Sequence, residues 1–364
     1  MIRVLHVVNY MNRGGIETML MNYYRNIDRS QIQFDFLVHR QKKAEYDNEI
    51  ISMGGKIFRL PKLNPMSIKY RKECDKFFKT HNEYKIVHFH LNSLSSLPMY
   101  YAKKNNIKNR IAHSHNAGTS SGQIVKLIKK YYSKKIPKYS TQNFACSYDA
   151  GNWLFGKWPF EIFYNAIPIN SFIYDNDSRK RIRNKYNIGS FDLVLVNVAT
   201  FISQKNHKFL IEVFDCLCKK IPSTKLFLAG NGPLFNEIRT IIESRGLMEN
   251  VICLGSCDNI NQILSASDVF VLPSLYEGLG IVLVEAQAAG LPCIVSDAVP
   301  RDVFLTENIY SLKLNDSLSK WVDTIIKTKE NNNDRLYNFE ILKSSHYDVS
   351  KQAIWYNNFC NGLL

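Results

Sequence analysis

Short apolar runs alternate with amphipathic stretches along the whole chain. The first run is Val4-Leu5-His6-Val7-Val8, followed by the turn Asn12-Arg13-Gly14-Gly15 and a helical pattern from about Ile16 to Asn26. Further runs at 33–38, 56–60, 86–90, 110–115, 144–147 and 162–164 predict a first set of strands. A second series begins at 193–198 and continues through 226–229, 251–254, 269–272 and 293–296, with helices expected near 207–219, 234–244, 259–266 and 283–289. Continuous apolar runs suit strands buried on both faces, and strand–helix alternation suits parallel sheets. The pattern therefore predicts an α/β protein of two doubly wound, Rossmann-like domains facing a cleft. The expected domains are 1–168 and 169–349, with the polar stretch Asp175–Ser178 near their junction. Ala353, Ile354, Trp355, Tyr356 and Phe359 recur at helical spacing, so 350–364 is expected to be a helix packing back on the first domain.

The length, 364 residues with 45% hydrophobic and 22% charged, fits two ordinary globular cores and excludes wholesale disorder. No run reaches the roughly 18 apolar residues of a membrane span. The opening run is too short for a signal peptide, so a cytoplasmic protein is expected. Eight cysteines occur without a CxxC pair or zinc spacing, which points to free thiols in a reducing compartment. The net charge of +15 is unevenly placed: residues 1–165 hold 27 basic and 11 acidic side chains, the remainder 20 and 21. A basic first half calls for an anionic partner or a solvated lysine-rich face.

The sharpest candidate chemistry lies in Pro273-Ser274-Leu275-Tyr276-Glu277-Gly278-Leu279-Gly280-Ile281, between a strand and a helix. Gly278 and Gly280 allow a tight turn and close backbone approach, and the amides opening the helix form an anion site suited to phosphate. Glu285, eight residues after Glu277, can accept two hydrogen bonds from a diol such as a ribose.

This segment resembles the signature of the retaining glycosyltransferases of family 4, which have the GT-B fold of two Rossmann domains. The resemblance extends over nearly the whole chain. It implies that Glu277 lies by the donor sugar, that Glu285 binds the ribose of a nucleotide sugar, and that the amides of Leu279, Gly280 and Ile281 hold its diphosphate. Four other places match the family. Arg13-Gly14-Gly15-Ile16-Glu17 resembles its N-terminal Gly-Gly loop, so Gly14 and Gly15 are implied in donor binding. Gln204-Lys205-Asn206-His207 resembles its Lys-Asn, which makes Lys205 the cation neutralising the diphosphate. His115, in Ala112-His113-Ser114-His115-Asn116, matches its histidine near the anomeric centre, with His113 a structural neighbour. His88 and His90 are read as cleft lining or core. Tyr164-Asn165-Ala166-Ile167-Pro168 matches its hinge, with Ala166 replacing a glycine. Thr200 stands where the family carries an arginine, a change that removes bidentate phosphate contacts.

The implied activity is transfer of a sugar from a nucleoside diphosphate donor, expected to be UDP-linked, to a lipid-linked saccharide of capsule or exopolysaccharide. No cofactor or metal is expected: Asp175-Asn176-Asp177 spells a DxD, but in a linker. The segment 123–138 interleaves six lysines with apolar and tyrosine residues and reads as one basic amphipathic helix for an anionic membrane surface, or as a surface helix packed on the first domain. No nucleic-acid module is visible. Two other functions share the fold: a UDP-sugar epimerase, and a non-catalytic subunit that binds nucleotide sugar. A dinucleotide dehydrogenase fits poorly, because no G-x-G-x-x-G follows the first strand and Gly230-Asn231-Gly232 lacks the third glycine.

Overall fold

The computed structural model describes residues 1–116, 123–330 and 335–363. They divide into two compact units, Met1–Ile167 with Val349–Leu364, and Pro168–Asp348.

The first unit is built on seven strands: β1 (Ile2–Val8), β2 (Ile32–Val38), β3 (Ile57–Arg59), β4 (Ile86–Phe89), β5 (Asn109–Ser114), β6 (Gln142–Ala145) and β7 (Glu161–Ile162). Their order is β3-β2-β1-β4-β5-β6-β7, and every pairing is parallel. One face is covered by the helices Gly15–Asn26 and Val349–Gly362, with Met19, Leu20, Tyr23, Ala353 and Tyr356 packed on Phe34, Phe36 and Phe144. The other face buries Tyr70, Phe77, Phe78, Leu97 and Phe155. The C-terminal helix thus docks on the N-terminal sheet, and the Val349 amide donates to the Ile167 carbonyl at 3.0 Å. One carboxylate is buried in this sheet. Asp35 accepts from Arg3 at 2.6 and 2.5 Å, from the Tyr84 hydroxyl at 2.7 Å and from the Lys56 amide at 2.6 Å. Full hydrogen bonding of this kind is what makes a buried charge tolerable.

The second unit has six parallel strands: β8 (Val194–Val198), β9 (Lys225–Ala229), β10 (Val251–Gly255), β11 (Val269–Leu272), β12 (Cys293–Ser296) and β13 (Ile309–Leu312), in the order β10-β9-β8-β11-β12-β13. Trp321 is fully buried and meets Phe209 of the helix His207–Lys220 edge-on, at 5.1 Å between ring centroids.

Two sequence expectations change. The basic segment is not one helix over 123–138. A helix spans Gln123–Ser133, and a separate turn of helix spans Ile136–Tyr139 with Pro137 at its start. Proline lacks an amide and clashes with the preceding turn, so it opens a helix rather than continuing one. The other change is Asp175. Its carboxylate accepts from the amides of Asp177 and Ser178 and caps the helix Asn176–Lys185, which accounts for the DxD as a helix start. Among the described residues, no helix is long and apolar enough to cross a membrane.

Candidate active site

Open α/β sheets bind ligands beyond the carboxyl ends of their strands, where the winding direction reverses. In the second unit that point lies between β8 and β11. The loop leaving β8 is pinned by close backbone packing. The Phe201 amide donates to the Asn231 carbonyl at 3.0 Å, and Gly230, at φ 139°, lies so near Ala199 that a Cβ would strike its carbonyl oxygen. Asn206, at φ 54°, then turns the chain into the helix His207–Lys220.

The loop leaving β11 is laced to it. The Leu275 amide donates to the Gln204 carbonyl at 2.8 Å, and Gln204 Nε2 to the Tyr276 carbonyl at 2.9 Å. This lacing sets Lys205 Nζ 2.6 Å from Glu277 Oε1, and the buried Ser274 hydroxyl donates to the same oxygen at 2.5 Å. Lys205 and Glu277 are thus an ion pair, 17% and 4% exposed at the side chain. Glu277 Oε1 is fully engaged, while Oε2 makes no hydrogen bond among the described residues. Ser274 is a site residue that sequence reasoning assigned no role. Its only signal was its place three residues before Glu277.

Gly280 stands at φ 78° as the cap of the helix Ile281–Ala288, a conformation that favours glycine. Among the described residues the amides of Leu279, Gly280 and Ile281 donate no backbone hydrogen bond. They are the unsatisfied donors with which a helix begins, at its positive dipole end. Glu285 lies on the same helix, only partly exposed, and its carboxylate makes no hydrogen bond or ion pair among the described residues. Desolvation pushes its carboxyl up to about 7. A carboxylate held without partners in a desolvated place gains from an incoming hydroxyl donor.

In the first unit the reversal lies between β1 and β4. Gly14 caps the helix Gly15–Asn26 in an extended conformation, and its carbonyl accepts from the Thr18 amide at 2.8 Å. The Glu17 carboxylate folds over Gly14 so closely that a Cβ there would strike it, and burial pushes its pKa up to about 7.

His115 does not stand alone. Five imidazoles converge near the carboxyl ends of β1, β4 and β5: His6, His88, His90, His113 and His115, none more than 6% exposed. His6 Nδ1 lies 3.1 Å from His90 Nε2, and His90 Nδ1 lies 2.9 Å from His115 Nε2. His88 Nδ1 meets the Tyr356 hydroxyl at 3.1 Å. The His113 ring stacks on His115 at 3.9 Å between centroids. Burial pushes all five pKa values down, to about 3 for His6 and His115. The rings are neutral at physiological pH. Five of their nitrogens are buried without a partner among the described residues: His6 Nε2, His88 Nε2, both nitrogens of His113, and His115 Nδ1. Each unpartnered polar group costs about 1–3 kcal/mol.

A family model described as glycosyl transferases group 1 matches residues 178–338. The chain is 36% identical over 336 residues to the putative glycosyltransferase EpsF of Bacillus subtilis, covering 89% of this chain and 87% of that one. It is 28% identical to the capsular polysaccharide biosynthesis glycosyltransferase CapH of Staphylococcus aureus, over 79% of each chain. It is 23% identical to the Escherichia coli UDP-Gal:alpha-D-GlcNAc-diphosphoundecaprenol alpha-1,3-galactosyltransferase, over 90% of this chain and 88% of that one. Among solved structures, Anabaena HepE in complex with UDP-glucose superposes with a TM-score of 0.82 at 16% identity, over 100% of both chains.

Proposed function

Because the chain belongs to the group 1 glycosyltransferases and has their GT-B fold, we propose that it moves a sugar from a UDP-linked donor, with retention of configuration, to a lipid-diphosphate-linked saccharide in capsule or exopolysaccharide assembly. The observation that carries this reading is the Lys205–Glu277–Ser274 cluster set just before the open amides of Leu279, Gly280 and Ile281. The names of the relatives support its parts: a UDP-Gal donor and a diphosphoundecaprenol-linked acceptor in one, capsular polysaccharide in another.

In this mechanism the departing diphosphate is met by the amides and by Lys205. The ammonium has three N–H groups, so it can hold Glu277 and a phosphate oxygen together. Donors fixed where charge develops lower the barrier without reorganising. Glu277 Oε2 faces the donor sugar, and no protein nucleophile is needed. The resemblance assigns Gly14, Gly15 and His115 to the donor as well. No metal takes part in leaving-group departure.

Glu285 serves the ribose. UDP affinity is expected to fall at least tenfold in Glu285→Ala. In the wild type it should rise as pH passes through about 7 and the carboxylate ionises. Glu285→Gln should flatten that rise relative to the wild type. Unchanged UDP binding by calorimetry in Glu285→Ala would remove this residue from the site.

The acceptor is held at an anionic membrane surface. On the helix Gln123–Ser133, Val125, Leu127, Ile128 and Tyr131 are all more than 40% exposed beside the lysines. The same helix contributes Lys126, Lys129, Lys130 and Ser133 to the lining of a cavity completed by Ser93 and Trp153. Each lysine near an anionic surface contributes about 1 kcal/mol. These features support the reading that the protein works peripherally at the inner face of the membrane.

The whole reading is tested by incubating the purified chain with a panel of nucleotide sugars and following nucleotide release, with and without lipid extract in anionic vesicles. Release from one donor, stimulated by extract, is expected. The stimulation should be lost when Lys129, Lys130, Lys134 and Lys135 are replaced by Glu. Conversion of the donor without nucleotide release would instead mark an epimerase. UDP binding with no turnover on any acceptor would mark a non-catalytic subunit.

A further inference from the structure

We propose that the strand-end histidines form a binding site for one borderline divalent transition-metal ion, zinc(II) in class, ligated by His90, His113 and His115 and backed by His6. The proposal shares His115 with the transferase reading, which assigns that ring to the donor, and it departs from the expectation of no metal.

The argument begins with proton accounting. His6, His90 and His115 form a chain of two ring-to-ring hydrogen bonds, 3.1 and 2.9 Å long. Three neutral rings carry three N–H groups and three lone pairs. Two bonds consume two of each. One N–H and one lone pair are left at the ends, His6 Nε2 and His115 Nδ1, and neither end has a partner among the described residues. His113 adds an N–H and a lone pair, both unpartnered. His113 thus offers an unmet lone pair beside His90 and His115, and an ion held there would also take the lone pairs of His90 Nδ1 and His115 Nε2 in place of the hydrogen bond between them.

The geometry agrees. In His90, His113 and His115, one nitrogen from each ring lies within 4.8 Å of the others. Imidazoles on a tetrahedral zinc, at 2.0–2.1 Å, stand roughly 3.3–3.4 Å apart. The 2.9 Å pair of His90 Nδ1 and His115 Nε2 needs only to open slightly, and His113 to turn its free edge inward. When His90 Nδ1 ligates, its Nε2–H donates to His6 Nδ1, the orienting hydrogen bond that metal-bound histidines characteristically make.

A second trio, His6, His88 and His90, has the same closeness. It is the poorer choice, because Tyr356 covers it and already engages His88. The outer trio includes the two least buried rings of the five, His90 at 3% and His115 at 6% exposed. Three neutral nitrogen ligands leave a fourth position for water or an anion, as in three-histidine zinc sites. Nitrogen-only donors exclude magnesium and calcium, which take oxygen ligands.

The test uses the full chain, made without a histidine tag and stripped with a chelator. Equilibrium dialysis against zinc chloride, read by elemental analysis, should show one ion per chain at micromolar free zinc. Magnesium chloride should not compete. His113→Gln and His90→Gln should each weaken zinc binding by roughly 10–100-fold, the range seen when a metal shell is damaged. His81→Gln, outside the cluster, should not weaken it. Should the cluster variants fail to fold, the wild type decides. Cobalt(II) should give the intense visible bands of a four-coordinate site, and zinc should raise the melting temperature with concentration. No uptake at micromolar zinc, uptake undiminished in both cluster variants, or cobalt bands of a six-coordinate aqua ion would overturn the proposal.

Discussion

Replacing Lys205 with alanine is expected to lower nucleotide release at saturating donor by roughly 10²–10³-fold, the range for losing one preorganised donor to developing negative charge. Two effects combine. The departing diphosphate loses its cation, and Glu277 loses its partner. The pair is nearly buried, with the carboxylate side chain only 4% exposed. Removing one member of such a pair strands the other charge and destabilises the fold by several kcal/mol. The two effects separate in a second variant. In Lys205→Ala combined with Glu277→Gln, no stranded charge remains and the Ser274 hydroxyl still has an oxygen to meet. Thermal stability should recover in the double variant, while turnover should not. If Lys205→Ala turned over within threefold of wild type, Lys205 would be a structural cation only. If turnover returned together with stability, the loss would have been one of folding.

The second-unit site was readable in sequence because its parts are local. Glu277, the glycines after it and Glu285 fall within one strand–loop–helix, so the spacing along the chain already implies their arrangement. Strand and helix periodicity placed β8 and the helix His207–Lys220 within one residue at either end. The link from Lys205 to Glu277 spans 72 residues and depends on two contacts made by Gln204, one through its carbonyl and one through its side-chain amide, which no pattern announces. β13 went unseen because Ile309-Tyr310-Ser311-Leu312 is short, half-polar and at the sheet edge, where one flank needs no apolar run. The histidine cluster was the least legible. It depends on parallel register, which sets His6 opposite His88, and on the alternation of side chains that places His88 with His90 and His113 with His115 on one face. His6 looked like one polar residue in a buried strand. The break at Pro137 is written in the sequence, because a proline after the run of lysines and tyrosines ends one helix and opens the next turn.

Replacing His207 with phenylalanine is expected to make the second unit progressively more stable than wild type as pH falls. His207 begins the helix His207–Lys220, with its ring stacked on Phe201 at 4.2 Å and 12°. Neither ring nitrogen has a partner among the described residues. Burial, with Lys205 nearby, pushes its pKa down to about 4. In the unfolded chain the imidazole titrates near 6.5. Between those values the unfolded chain takes up a proton that the native ring refuses. The stability linked to the neutral ring is therefore complete above about 6.5 and lost as pH falls towards 4. Over that window the loss approaches roughly 3 kcal/mol, or about 5–10 °C in melting temperature for a unit of this size. The comparison must be between variant and wild type rather than on the wild-type curve alone. Glu17 and Glu285, both raised to about 7, bind protons in the native state first and stabilise it over much of the same range. Their opposing slopes cancel in the difference. Calorimetric melts from pH 7.5 to 4.5 should show the two proteins diverging on the acid side, with the variant higher. Parallel curves would mean that the His207 ring is solvated enough to accept its proton in the folded state.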